Sequence, residues 1–151
     1  MTETATEWTG DSAQGNIRRR YWLSALAKGV VTGAIGGIGA FTYNMSELMV
    51  APIDPLLVLG ITALAGVYAH LLADGLHESI RVGLIGFFTG GITMVGVWVA
   101  PLWILSYTNG ARDLLLPQLT GTAVTAAIIV YSSVFLGAYL SALTIDAYAS
   151  T

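Results

Sequence analysis

Four long apolar runs, separated by short polar stretches, make up most of this chain. They cover about residues 22–43, 56–73, 82–102 and 117–143. The shortest, 56–73, would rise roughly 27 Å as a helix at about 1.5 Å per residue, close to the roughly 30 Å of bilayer hydrocarbon. The pattern predicts an all-α membrane protein: one domain over residues 18–146, with four transmembrane helices in an up-down bundle.

The breaks between runs carry their own signals. Residues 1–17 are polar and Thr-rich, with too little apolar content to fold alone, and read as a flexible cytoplasmic tail. Pro52 and Pro55 interrupt the first connection, and Pro55 suits the first turn of the second helix. Residues 82–107 hold no charge and are too long for one untilted crossing. Pro101 ends that crossing near residue 100, with Trp98, Trp103 and Tyr107 as an aromatic belt. Asn109-Gly110 marks a turn, and Pro117 starts the fourth helix. Residues 147–151 are a short polar tail.

Small residues recur at four-residue steps along three of the runs. Gly29, Gly33 and Gly37 make one stripe, Gly86 and Gly90 a second, and Ser133, Gly137 and Ser141 a third, with Tyr131 and Tyr139 placed to fill grooves beside it. On helices in lipid, such stripes let backbones approach closely, and dispersion then replaces the missing hydrophobic drive. A GGI triplet occurs in the first run (Gly36–Ile38) and again in the third (Gly90–Ile92). Two helical hairpins in parallel repeat would account for it.

Composition agrees with the pattern. Charged residues are 10% of the chain and hydrophobic ones 55%, whereas a soluble domain carries about 25% charged residues to cover its surface. No cysteine is present, which removes disulfides and thiolate chemistry. The net charge of −3 offers no basic face for nucleic acid. Arg18, Arg19, Arg20 and Lys28 flank the start of the first run, and Arg81 lies between the second and third. Only Arg112 falls on the other side. By the positive-inside rule, both termini are cytoplasmic, or interior in a virion. The run RRRYWLS also has the look of a twin-arginine export signal, although no small-residue cleavage site follows it.

Chemistry, if present, belongs to the stretch His70–Arg81. On one continuous helix His70, Asp74, His77, Glu78 and Arg81 would fall within an arc of about 100°. Imidazoles and carboxylates at such spacing bind a transition metal or relay a proton. A turn has to fit here, however, and Gly75 is the natural stop for the second helix. The face is then divided, with His70 and Asp74 on the second helix and Glu78 at the start of the third. The plainer expectation is a solvated turn in which His70 pairs with Asp74 and Arg81 with Glu78, with Arg81 also anchoring lipid headgroups. Lys28, Glu47 and Asp54 read as interface markers.

Two glycine runs, GGIGAFTY at Gly36–Tyr43 and GGIT at Gly90–Thr93, resemble signatures of the small four-span fluoride channels. The likeness covers under a tenth of the chain. Phe41-Thr42 stands where the first signature has its arginine, Met94-Val95-Gly96 replaces the second's Thr-Phe-Ser run, and the second helix has no pore Asn. The chain is not assigned to that family.

No phosphate loop, nucleophile elbow or paired metal-binding helix motif occurs, and no cofactor is implied. The short loops leave no room for a soluble catalytic domain. The expected function is structural or accessory: a membrane-embedded subunit or scaffold, in a cell or virion membrane, whose partners are lipid and another membrane protein or further copies of itself. The alternative is a small homo-oligomeric channel or transporter, with Thr32, Thr93, Thr125 and Ser132 along its path. A membrane-embedded enzyme using the His70–Arg81 cluster ranks last.

Overall fold

The structure, a computed structural model, describes residues 4–48 and 53–149; Pro52 lies outside them. Among the described residues every regular element is helical. Helix α1 spans Thr4–Met45 and ends in a 3₁₀ turn, Ser46–Leu48. Helices α2 (Pro55–Leu71), α3 (Leu76–Val99) and the short α4 (Pro101–Ile104) follow. Helices α5 (Asn109–Ala126) and α6 (Ser132–Ala149) are joined through a π turn, Ala127–Tyr131, into one continuous helix.

Among the described residues three helical segments are long and apolar enough to cross a membrane: Arg18–Met45, Leu76–Val99 and Asn109–Ala149. Helix α2 is equally apolar in character but shorter, at 17 residues. Asp54 caps it, its carboxylate accepting a hydrogen bond from the Leu56 amide at 2.9 Å, and Pro55 occupies the first turn. Asp-Pro is thus a helix-start signal, beyond the interface marker expected of Asp54.

Several boundaries differ from the sequence expectation. Helix α1 starts at Thr4, so the stretch read as a flexible tail is helical from there. The last helix starts at Asn109 and carries Pro117 inside it. A proline removes one N–H and crowds one carbonyl, and the turns on either side sustain the helix across it. Within the π turn the Ser132 amide bonds back to the Ala127 carbonyl, five residues away.

Helices α1 and α3 form the most extensive interface. They run parallel, because Gly33 meets Gly86 and Gly37 meets Gly90 in the same order along both chains. A methyl group on Gly33 would stand 2.9 Å from the Gly86 Cα, and one on Gly37 would stand 3.0 Å from the Gly90 Cα. Only glycine permits that approach. Helix α2 lies antiparallel to α1, with the Thr62 hydroxyl donating to the Gly36 carbonyl at 3.2 Å.

The long helix turns Tyr131, Phe135 and Tyr139 inward, at four-residue steps, onto the α1–α3 seam. The Tyr131 hydroxyl donates to the Gly86 carbonyl at 2.7 Å, and its ring stacks on Phe135 at 5.2 Å. The stripe Ser133, Gly137 and Ser141 sits on the exposed side of that helix, away from the other helices of this chain. Large rings fill the hollows that the glycines of α1 and α3 leave, and the small-residue face is displaced outward. Trp98 departs likewise from the expected belt: it is buried, edge-on to Phe41 at 5.8 Å. Trp103 remains exposed, with the Arg112 guanidinium 4.8 Å above its ring.

Small and aromatic residues fill the interior, while Ile35, Ile38, Leu64, Phe88, Ile92, Ile128 and Leu140 face outward. A water-soluble bundle has the reverse arrangement. Large outward apolar side chains and a small-residue interior are compatible with a multi-pass membrane protein.

Candidate functional site

One end of the bundle collects the middle of α1, the end of α2, the start of α3 and the end of α6. The α2–α3 turn closes it. Helix α2 ends at Leu71 with Leu72 as its cap, and Gly75 is the N-cap of α3. Gly75 therefore opens the third helix and does not stop the second. Its extended backbone is open to any residue. Asp74 lies in the turn, off the helix it was expected to share with His70.

The expected pairings are exchanged for others. Glu78 takes Lys28, not Arg81: the ammonium lies 2.8 Å from Glu78 Oε1 and 3.7 Å from Asp74 Oδ2. Both Lys28 and Glu78 are mostly covered, with side chains 23% and 18% exposed. The second Glu78 oxygen accepts from the Asp74 amide at 3.2 Å. That carboxylate thus binds the turn to α3 and α3 to α1, much as a capping-box carboxylate reaches back over a helix start.

His70 joins a separate network. Its Nδ1 is 2.8 Å from Ser79 Oγ, which is 3.1 Å from the Tyr139 hydroxyl. Its Nε2 faces Asp146 Oδ2 at 3.6 Å, too long for a direct hydrogen bond. One consistent proton arrangement has Tyr139 donating to Ser79, Ser79 to Nδ1, and the Nε2 proton directed towards Asp146. Ser79 has no exposed surface, so nothing reaches its hydroxyl from outside. A cleft of about 510 Å³ beside it is lined by His70, Asp74, Leu143 and Asp146.

His77 and Arg81 stay apart from both networks. Each is exposed, and neither side chain makes a hydrogen bond or ion pair among the described residues. Among those residues no three His, Asp or Glu side chains come together as a metal-ligand group. The polar face that one continuous helix would make over residues 70–81 is thus three environments: an α1–α3 ion pair, an α2–α3–α6 hydrogen-bond chain, and two exposed groups without a partner among the described residues.

Ser79 and Asp146 were not singled out in the sequence, and Tyr139 was expected only to fill a groove between helices. A faint signal existed: Tyr139 and Asp146 are seven residues apart, on one helical face, and Ser79 lies within the polar stretch His70–Arg81. Arg18, Arg19 and Arg20 are exposed on α1, one turn before Trp22.

The fold defines a class: all-helical among the described residues, with three helices there long and apolar enough to cross a membrane, compatible with a multi-pass membrane protein. No family model, curated protein or solved structure matches the chain.

Proposed function

We propose that this chain is a four-span integral membrane protein with both termini on the cytoplasmic or virion-interior side. Its role is structural or accessory, as the membrane-embedded subunit or scaffold of a larger assembly. Helix α2 serves as the fourth span, since it packs antiparallel to α1 and is apolar throughout. The count of five basic residues against one supports the orientation.

The observation that carries the reading concerns the hydroxyl groups on the supposed path. Thr32 is buried at the α1–α3 seam and donates to the Lys28 carbonyl at 2.9 Å. Thr125 donates to the Gly121 carbonyl at 2.9 Å, and Ser132 to the Ala127 carbonyl at 3.1 Å. Each of these three satisfies its own helix instead of offering its hydroxyl to a passing ion, while Thr93, the fourth residue on that path, makes no side-chain hydrogen bond among the described residues. No buried side-chain polar atom lacks a partner among the described residues. Hydroxyls engaged in this way at three of the four positions favour a scaffold over a conduit.

Mild-detergent extraction from the native membrane, followed by identification of what co-purifies, tests this. A stoichiometric second membrane protein is the expected result. A pure homo-oligomer that passes ions in liposomes would replace the scaffold reading with the channel.

A further inference from the structure

Between α1 and α3, at the end that carries the polar networks, a groove of about 260 Å³ is lined by Trp22, Ala25, Arg81, Leu84 and Ile85. Its composition is amphipathic. A guanidinium and an indole stand at one end, and aliphatic side chains form the floor. We propose that this groove is a binding site for an anionic phospholipid of the bilayer, with the phosphate held by Arg81 and the first part of an acyl chain on Leu84 and Ile85.

The ion-pair geometry is the first ground. Glu78, one helical turn before Arg81, is the nearest carboxylate along the helix, and it is committed to Lys28 at 2.8 Å. Arg81 is left without a counter-ion among the described residues, at the rim of a groove that no acidic side chain lines. A planar, permanently charged guanidinium with free donors matches a phosphate in a bidentate fashion. Arg18, Arg19 and Arg20 lie exposed one turn before Trp22 and raise the local positive potential.

The apolar continuation is the second ground, and it selects a lipid over a free anion. From Arg81, the row Leu84, Phe88 and Ile92 continues along the outer face of α3, every member exposed. A ligand with a hydrocarbon chain buries that row, while inorganic phosphate gains nothing from it. Trp22, 55% exposed, stands at the headgroup level where an indole is favoured. The site rests on the membrane-spanning reading above.

Native mass spectrometry of the full chain in mild detergent, with added phosphatidylglycerol or phosphatidylcholine, tests the site. Wild type is expected to retain phosphatidylglycerol preferentially. Arg81→Gln should lower that retention about fivefold, the effect of one interfacial basic residue, and Arg81→Lys should recover part of it. Arg112→Gln, at the other end of the bundle, should leave it unchanged. Equal retention of both lipids by wild type overturns the proposal. So does loss of the preference in the Arg18→Gln/Arg19→Gln/Arg20→Gln variant with none in Arg81→Gln, which would mean a diffuse polybasic surface. Full competition by inorganic phosphate would overturn the lipid assignment. Carbonate extraction of the native membrane checks the spanning reading separately: a chain kept in the pellet but without headgroup preference loses only the site.

Discussion

The Lys28 ammonium lies 2.8 Å from Glu78 Oε1, across fifty residues of sequence, and joins α1 to α3. Partial cover makes this pair stronger than a surface ion pair, because water screens it less, and removing one partner strands the other charge. A double-mutant cycle on Lys28→Met, Glu78→Gln and the two combined should give a coupling of about 1–2 kcal/mol by thermal unfolding in detergent. A coupling within the few tenths typical of exposed pairs would show that the geometry contributes nothing.

The glycine seam predicts opposite outcomes at adjacent positions. A methyl group on Gly90 would stand 2.7 Å from the Gly33 carbonyl oxygen and collide with the Tyr131 hydroxyl. Alanine is the better helix former by about 1 kcal/mol, yet Gly90→Ala should destabilise by about 1–3 kcal/mol through overpacking. Gly91 has no neighbour within 4 Å of its missing methyl group. Gly91→Ala should therefore be neutral or mildly stabilising. Equal melting temperatures for the two variants would remove the seam as a determinant of stability.

The His70–Ser79–Tyr139 chain has a buried centre. Ser79→Ala leaves His70 Nδ1 and the Tyr139 hydroxyl both without their shared partner, at a cost of about 1–3 kcal/mol. Tyr139→Phe removes one end only and should cost less. The double variant should cost less than the sum, since the second substitution deletes a group already orphaned. Strict additivity in the unfolding free energies would contradict a connected chain.

Orientation can be read chemically, because the chain has no cysteine of its own. Single-cysteine variants Gly75→Cys and Gly110→Cys place a thiol at opposite ends of the bundle, and a methyl-sized addition meets nothing at either position. With the termini inside, a membrane-impermeant maleimide should label the residue 110 thiol in intact cells and the residue 75 thiol only after permeabilisation. The reverse pattern would invert the proposed topology.

Local composition made the helices legible. Apolar runs of about twenty residues locate the helices, because a helix bonds its backbone groups within its own segment. The breaks located their ends only in part: Pro117 lies inside a helix, and α1 begins at Thr4 in the polar stretch. The Gly29–Gly33–Gly37 and Gly86–Gly90 periodicities were visible for the same reason. The Asp54-Pro55 start was equally local.

Which groups meet was settled only in three dimensions. Successive residues on a helix point about 100° apart, so moving the end of α2 from Ala73 to Leu71 carries Asp74 off the helix and into the turn. The rotation of α3 against α1 gives Glu78 to Lys28 and leaves Arg81 to the groove. The choice of face on the last helix follows from volume: Tyr131, Phe135 and Tyr139 fit the hollows at Gly90, Gly86 and Gly83, which sends Ser133, Gly137 and Ser141 outward. The sequence by itself determined an apolar all-helical chain with glycine-lined faces. Tertiary structure decided the partners, because helix rotation and shape complementarity are properties of pairs of helices and cannot be read from either one alone.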